Sequence, residues 1–369
     1  MFNVRTSPHI HSSNRTDKAM LYVILALLPA TIWGIAVFGL HALLVVLVSI
    51  GSAVLTEYLL GLVSKEFTIP DLSAIVTGLL VGMNMPPEIN ILIPILASAF
   101  AIAVVKWTFG GLGCNWMNPA LAGRVFVFFS FTSQMSAFSL PRTLMRSAEA
   151  INASGVANKI VVDAFSGATP LSVLKTGLSM GLGSDQASML AGRPFTNFAA
   201  NLGSVLHIDP YAVDAFFGNT AGCIGEVSAI LLILGGIFLI CMKVITWRIP
   251  VVFIGSFAIL TWIFGGIPYG NGLFSGELLL PIFSGGLMLG AFFMATDWVT
   301  TPTTPNGEIV FAVGCGFFTF LFRYFGSLPE GVSLAILLMN IVTPTIDRYI
   351  KVKKFGYVKP VKSKKEAKA

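Results

Sequence analysis

One polar stretch, residues 163–170 (Asp-Ala-Phe-Ser-Gly-Ala-Thr-Pro), has residue types that suit covalent attachment of a group to a hydroxyl. It lies in the longest non-hydrophobic loop of an otherwise apolar chain. Ser166 and Gly167 permit a tight bend, because glycine tolerates positive φ. Pro170 disfavours helical geometry at Thr169 and removes a backbone donor just after it. We therefore expect an exposed threonine hydroxyl that a modifying enzyme can reach; a plain turn is the alternative.

The position of Asp163, three residues before Ser166, makes this stretch resemble the recognition motif of the flavin transferases. Those enzymes join FMN to a threonine through a phosphoester. The resemblance implies that Thr169 is the acceptor. The residues that then shape the loop for the transferase are Asp163, Ser166, Gly167 and Ala168.

Ionisable side chains inside or beside apolar segments form a second set of candidates. A charge within a bilayer is costly unless it is paired or hydrated, so each is a functional candidate. Asp297 follows an apolar run, so its solvation must come from the protein or a cavity. Glu57 and Asp297 are the strongest candidates for an ion path, whereas Arg124 and Arg323 can equally be side chains that snorkel to the membrane surface. The full set is Glu57, Arg124, Glu226, Asp297, Arg323 and Asp347.

Two stretches broken by Gly and Pro, 109–120 and 292–307, lie between apolar segments. Interrupted segments at matching positions point to the binding site in transporter folds built from repeats, so we expect an internal duplication. Asn118 is suited to cap a helix that begins at Pro119. The backbone amides there could face an anion or a polar ring edge, and a plain helix start is the alternative.

Several kinds of chemistry have no motif in this chain. It has no Walker A loop, no G-x-G-x-x-G fingerprint and no H-E-x-x-H, so a redox role would be electron carriage between partner proteins. His9 and His11 indicate a cytoplasmic docking segment rather than a metal site. The cysteines have no C-x-x-C spacing, which favours structural thiols over a cluster shared with a neighbouring subunit. No catalytic residue and no metal ligand is predicted.

The composition identifies a polytopic membrane protein. Of 369 residues, 55% are hydrophobic and 11% are charged, against roughly 25% charged in soluble domains. A spanning helix needs roughly 20 apolar residues. We predict an all-α fold with about ten transmembrane helices, of which the third is short and can be a half-span. The predicted spans are 20–39, 41–62, 72–86, 90–107, 119–138, 221–242, 250–267, 278–296, 308–325 and 331–349.

Charge near the ends of the spans predicts the orientation, because cytoplasmic flanks are enriched in Lys and Arg. Both termini should be cytoplasmic and the long loop external, so Thr169 should lie outside the cytoplasm. The lysine-rich tail is interpreted as a determinant of topology rather than a nucleic-acid site. The predicted regions are a cytoplasmic segment 1–19, a first membrane half 20–138, an external loop 139–220 with the flavin site, a second membrane half 221–349 and a basic cytoplasmic tail 350–369.

Five blocks, found in the same order as in one family, together resemble the D-subunit family of the Rnf ion-translocating ferredoxin:NAD oxidoreductases over nearly the whole chain. The blocks are 7–11, 110–120, 163–169, 218–226 and 293–302. The resemblance implies a urea-transporter-like fold with two structural repeats in the inner membrane. It also implies electron transfer through FMN on Thr169, coupled to Na⁺ or H⁺ transport. The partners would be other membrane and flavoprotein subunits of the complex and a flavin transferase.

The sister family, the B subunit of the sodium-pumping NADH:quinone reductases, shares the flavin motif and remains an alternative. It usually has a longer region before the first helix. Because it also binds riboflavin non-covalently, a second flavin is a further expectation here. The candidates for that second flavin site or for an ion path are Asn118, Glu57 and Asp297. A passive urea-transporter-like channel and a structural scaffold for redox subunits are alternatives of other classes.

Overall fold

A computed structural model of the chain describes residues 15–65, 68–142, 144, 169–179, 195–270, 272–326 and 330–351. The predicted docking segment with His9 and His11 lies outside these ranges, as do all but the first residues of the predicted basic tail. All regular secondary structure within the described ranges is helical. The prediction of an all-α protein is therefore confirmed for this part of the chain.

Within its described residues, the first half contains two long apolar helices and four shorter ones. A 3₁₀ turn, Ile69–Asp71, precedes the third helix. The fourth helix continues into a π-helical segment, Ala101–Trp107. The helices are α1 Thr16–Phe38, α2 Leu40–Ser64, α3 Ser73–Met83, α4 Leu92–Phe100, α5 Pro119–Ser130 and α6 Thr132–Met135.

Among the described residues, three short helices follow in the predicted external loop, and six more lie in the second half. The loop helices are α7 Pro170–Ser179, α8 Asn197–Leu206 and α9 Pro210–Phe217. The remaining helices are α10 Ala229–Cys241, α11 Arg248–Phe264, α12 Leu279–Phe283, α13 Leu287–Leu289, α14 Pro305–Tyr324 and α15 Val332–Tyr349. A 3₁₀ turn, Ile267–Tyr269, follows α11, and α13 continues into a π-helical segment, Gly290–Met294.

Four helical segments within the described residues are long and apolar enough to cross a bilayer: Thr16–Phe38, Leu40–Ser64, Arg248–Tyr269 and Pro305–Tyr324. Ser73–Met83, Leu92–Trp107, Pro119–Ser130 and Ala229–Cys241 are apolar but shorter. The short third helix agrees with the sequence, which placed a broken or partial span there. The count of ten full spans stays a prediction.

Two of the predicted spans are not continuous helices in the structure. The span predicted at 221–242 becomes helical only at Ala229, because the Gly-rich residues before it extend along the end of α3. There Ile224 N–H donates to the Met85 carbonyl (3.1 Å) and Gly225 N–H donates to the Met83 carbonyl (2.7 Å). Non-helical backbone within a membrane protein is tolerated when protein groups satisfy it, and these two bonds do so.

The span predicted at 278–296 is interrupted between α12 and α13. Gly285 and Gly286 take positive φ values of 68° and 70°, which a helix cannot accommodate. The Arg323 guanidinium donates to the carbonyls of Ser284 (3.0 Å) and Gly285 (2.6 Å). This buried arginine therefore satisfies the backbone acceptors that the break exposes.

The two broken stretches have the same local construction. The first follows a π-helical segment and the second begins within one, and each contains a polar N-cap followed by proline. Asn118 caps α5 and Thr304 caps α14, with Pro119 and Pro305 as first helical residues. This likeness favours the predicted duplication, while the two-repeat, urea-transporter-like architecture stays a prediction.

One continuous hydrophobic core joins the two predicted membrane halves. Helix α1 packs against α10 across the halves, and α11 packs along α14. Close approach depends on small residues, as at Gly34, where a β-carbon would collide with the Ile224 carbonyl. Small residues at such contacts let membrane helices pack closely. The core therefore fixes the broken stretches against each other.

Candidate functional site

Thr169 lies immediately before α7 and acts as its cap. Its Oγ1 accepts a hydrogen bond from Ser172 N–H (3.2 Å), and its carbonyl accepts one from Ser172 Oγ (2.9 Å). The prediction that Thr169 is not helical is confirmed. The prediction that its hydroxyl is exposed is wrong, because Thr169 is only 3% exposed. A Thr-Pro pair suits the N-cap and first helical positions, and that role turns the hydroxyl back onto the helix.

The other residues predicted to shape the flavin loop lie outside the described residues. They are Asp163, Ser166, Gly167 and Ala168. The described part of the loop packs as a small cluster in which Leu174 of α7 contacts α9 and α12. Leu171, in the first turn of α7, lies against Gly285. Thr169 is therefore tied to the break between α12 and α13.

A cavity of about 350 Å³ lies between the two broken stretches, beside the start of α1. Most of its wall is apolar, and a few polar groups converge on it, which is the usual make-up of a small-molecule site. The aromatic wall consists of Phe292, Phe293 and Trp298. The polar groups are Thr16, Ser73, Thr77, Lys106, Asn115, Asn118, Thr296 and Asp297. Asn118 and Asp297, predicted separately from the sequence, thus lie on one cavity.

Asn118 uses its side chain to hold the two stretches together. Its Oδ1 accepts from the N–H groups of Ala120 (3.0 Å) and Leu121 (3.3 Å), as an N-cap does. Its Nδ2 donates to the Met294 carbonyl (3.1 Å). The Asn340 amide is oriented so that its nitrogen donates to the Ile336 carbonyl (3.3 Å) and its oxygen accepts a hydrogen bond from the Asn118 N–H (3.2 Å). The helix-start interpretation of Asn118 therefore accounts for its polar atoms, and its effect on a ligand would be through position.

Asp297 is half-buried at the cavity wall and is held weakly by neighbouring side chains. Its Oδ2 accepts long hydrogen bonds from the Asn115 amide (3.4 Å) and the Thr300 hydroxyl (3.4 Å). Asn115 also donates to the Met117 carbonyl (3.3 Å). The sequence did not single out Asn115, although it stands three residues before Asn118 in the same broken stretch. Asp297 and Asn115 are the polar side chains best able to turn towards a ligand.

Glu57 forms a buried ion pair with Lys106 at one edge of the cavity. Lys106 Nζ lies 2.7 Å from Oε1 and 2.8 Å from Oε2 of Glu57, and it donates to Ser73 Oγ at 2.6 Å. Thr68 Oγ1 also donates to Glu57. Lys106 stands at the end of the span predicted at 90–107, where a basic residue suggests a membrane flank, but it is 3% exposed and lines the cavity. Glu57 is thus neutralised by a lysine that sequence spacing could not reveal.

Arg124 lies at the centre of a second buried polar cluster. It donates to Asn84 Oδ1 (2.9 Å) and Ser333 Oγ (2.9 Å), and it pairs with Glu330 (2.8 Å) and Glu226 (3.4 Å). The interpretation of Arg124 and Arg323 as snorkelling side chains is wrong, since they are 8% and 7% exposed. Both arginines instead satisfy groups inside the protein.

Comparison with known proteins shows one matching protein family and several relatives that are similar over nearly their whole length. A family model described as NQR2, RnfD, RnfE matches residues 3–356. The D subunit of the proton-translocating ferredoxin:NAD(+) oxidoreductase complex of Clostridium ljungdahlii is 42% identical, over 96% of each chain. The D subunit of the Na(+)-translocating ferredoxin:NAD(+) oxidoreductase complex of Acetobacterium woodii is 39% identical, over 99% of this chain and 98% of that one. The D subunit of an ion-translocating oxidoreductase complex of Stutzerimonas stutzeri is 37% identical, over 92% of each.

Proposed function

The chain belongs to the NQR2, RnfD, RnfE family, and we propose that it is the membrane electron-carrier subunit of an Rnf-type complex. Such a complex would pass electrons between ferredoxin and NAD and couple them to transport of H⁺ or Na⁺. Support comes from full-length similarity to proteins named as the D subunits of ferredoxin:NAD(+) oxidoreductase complexes. Those names favour the Rnf assignment over the sister quinone reductase. The other subunits of the complex are then its partners.

Thr169 is proposed to carry FMN through a phosphoester installed by a flavin transferase. The observation that carries this proposal is the place of Thr169 at the N-terminus of the ten-residue helix α7. The first-turn N–H groups and the helix dipole favour a negative group there. Ser172 N–H, which reaches the threonine oxygen in the unmodified chain, is a donor suited to a phosphate oxygen.

The burial of Thr169 adds a condition to the proposal. Because the whole residue is only 3% exposed, its hydroxyl is accessible to a second enzyme only while the residues around it are displaced. The transferase is therefore proposed to act before α7 settles against α9 and α12. Bound FMN supplies one- and two-electron redox chemistry, and the protein supplies its position. A covalent link keeps it in place without a dissociation equilibrium.

The cavity between the broken stretches is proposed as the site of a second, non-covalent flavin such as riboflavin. Its volume of about 350 Å³ and its aromatic wall of Phe292, Phe293 and Trp298 suit a flat ring system. Asn115 and Asp297 would meet the polar edge of that ring. Asn118 would set the distance between the two stretches, and the ion pair of Lys106 with Glu57 would border the ring.

The membrane arrangement is proposed from charge. Both termini would face the cytoplasm and the loop with Thr169 would face the outside of the cytoplasmic (inner) membrane. Thr169 would then exchange electrons with a flavoprotein partner on the external side. The cavity beside the start of α1 would lie towards the cytoplasmic side.

In-gel ultraviolet fluorescence of the denatured chain, co-expressed with a flavin transferase, tests the proposal. We expect a fluorescent band in the native chain and none in Thr169→Ala. Thr196→Ala is the matched control, because Thr196 caps α8 as Thr169 caps α7, and it should keep the fluorescence. No band in any variant, with an active transferase present, would contradict the flavin assignment and favour a passive channel or a scaffold.

A further inference from the structure

The segment before α10 carries a buried carboxylate, Glu226, into the cluster around Arg124. One oxygen each from Glu226 and Glu330 and the thiol of Cys223 lie within 4.8 Å of one another. Glu226 is 5% exposed. It lies against Gly286, where a β-carbon would collide with Glu226 Oε1. The break between α12 and α13 therefore leaves room for this one side chain.

By strict hydrogen-bond geometry neither carboxylate oxygen of Glu226 accepts a bond from the described residues, and nor does Oε1 of Glu330. The backbone N–H and the thiol of Cys223 approach Glu226 in poorer geometry. Buried carboxylates normally accept several hydrogen bonds, because an ionised group without them pays a large desolvation penalty. Arg124 lies 3.4 Å from Glu226 but 2.8 Å from Glu330. The closer pair is thus Arg124–Glu330, and Glu226 is left under-satisfied.

Charged and titratable groups face Glu226 from each element packed around it. Arg124 reaches it from α5, Glu330 from the residues before α15, and Cys223 from its own segment. Arg323 acts on it electrostatically from α14 while holding the carbonyls of the α12–α13 break. Two acids face two arginines, so the cluster is balanced when both acids are ionised. A proton on Glu226 would leave Arg124 paired to Glu330 alone.

A bound metal or sodium ion fits this cluster poorly. Arg124 lies 3.6 Å from Cys223 Sγ and 2.8 Å from Glu330 Oε2, so a positive charge already occupies the side from which a cation would be held. Sodium and calcium also need several oxygen ligands around them, and two carboxylates beside a guanidinium do not provide such a shell. A proton needs only one under-satisfied oxygen.

We propose that Glu226 is a proton-exchanging carboxyl of this subunit, with Glu330 as the neighbouring acid and Arg124 as the group that responds to its charge. This assigns the exchange to Glu226 in place of Glu57, whose charge Lys106 neutralises. It also differs from Asp297, which belongs to the cavity wall. The chemical class of the ligand is the proton.

Intermediate residues connect the cluster to both proposed flavin sites. On one side, Leu171 in the first turn after Thr169 contacts Gly285, next to Gly286 beside Glu226. On the other side, Arg124 donates a hydrogen bond to Asn84, and the Asn84 amide lies 3.8 Å from Met294 Sδ. The Met294 carbonyl in turn accepts a hydrogen bond from Asn118. A role of Glu226 in redox-coupled proton transport rests on the proposed function; protonation of Glu226 itself does not.

Difference infrared spectroscopy of the purified full-length chain during pH jumps measures protonation without requiring a flavin. We expect a protonated-carboxyl signal that is absent in the near-isosteric variant Glu226→Gln. In Glu330→Gln the signal should remain but appear at lower pH, because a neighbouring negative charge that favours the protonated form is gone. The matched control Glu308→Gln, which removes an acid paired with Arg248 nearer the surface, should leave the Glu226 signal unchanged.

Several outcomes would overturn the proposal. A pH-dependent carboxyl spectrum that is identical in the native chain and Glu226→Gln would exclude Glu226. A signal that responds to added NaCl at constant pH would make the cluster a sodium site. If Glu226→Gln does not fold, an unshifted signal in Glu330→Gln would refute the paired arrangement. In the reconstituted complex, Glu226→Gln should reduce the protons moved per electron more than it reduces electron transfer.

Discussion

The ion pair between Lys106 and Glu57 offers a quantitative test of the cavity's supporting structure. Their side chains are 3% and 0% exposed, and Lys106 Nζ makes contacts of 2.7 Å and 2.8 Å to the carboxylate and 2.6 Å to Ser73. Lys106→Met keeps most of the side-chain volume, but it leaves a charged Glu57 whose hydrogen-bond donor is then the Thr68 hydroxyl. Breaking a buried pair in this way costs about 3–5 kcal/mol.

The matched control is Arg248→Met, which breaks a pair of 3.0 Å between side chains that are 34% and 14% exposed. Exposed pairs contribute about 0–1 kcal/mol, so this loss should be small. Equilibrium unfolding in mixtures of SDS and mild detergent measures both values. The double variant Glu57→Leu/Lys106→Met should recover most of the stability, because replacing both charges removes the unpaired one. A Lys106→Met loss no greater than that of Arg248→Met, or a double variant no better than the single one, would refute the reasoning.

Two further predictions concern packing and pH. Gly34→Ala should cost about 1–3 kcal/mol of stability, because the new methyl group meets the fixed Ile224 carbonyl. Gly51 has no neighbour within 4 Å, so Gly51→Ala should be neutral or stabilising by up to about 1 kcal/mol. Equal effects of the two substitutions on stability would contradict the assigned packing. Burial raises the pKa of Asp214, which accepts from Thr196 N–H (2.9 Å) and Oγ1 (2.6 Å). Since the folded pKa exceeds the unfolded one, the contribution of Asp214 is present below the unfolded pKa and is lost as pH rises through the folded value. Unfolding midpoints from acidic to neutral pH should therefore fall less steeply in Asp214→Asn, and identical slopes would count against this assignment.

Apolar runs and helix-cap chemistry made much of the fold predictable from the sequence. The spans predicted at 20–39 and 41–62 correspond to α1 and α2, because long apolar runs specify spanning helices. Asn118 and Pro119 were correctly interpreted as a helix start, since cap and first-turn preferences are local. The breaks before Ala229 and at Gly285 were missed. Their backbone is stabilised by distant partners, Met83, Met85 and Arg323, which no local pattern reveals.

The sequence predicted individual residues of the candidate site but not the contacts between them. Asn118 and Asp297 were singled out separately, and the fold places them on one cavity. Glu57 was singled out as an ion-path residue, but its partner Lys106 stands 49 residues away on a segment that resembles a membrane flank. Glu226 was one of several ionisable candidates, and only the geometry around Arg124 distinguished it. The predicted exposure of Thr169 is wrong, because a threonine before proline caps the following helix and its hydroxyl then bonds the backbone of Ser172.

Covalent FMN on Thr169 is tested by peptide mass mapping of the chain purified from its native membrane. We expect the peptide containing Thr169 to carry the added mass of an FMN phosphoester, with fragment ions that place it on that residue. An unmodified Thr169 peptide from an active ferredoxin:NAD oxidoreductase complex, or a covalent flavin located on another residue of this chain, would contradict the proposed function.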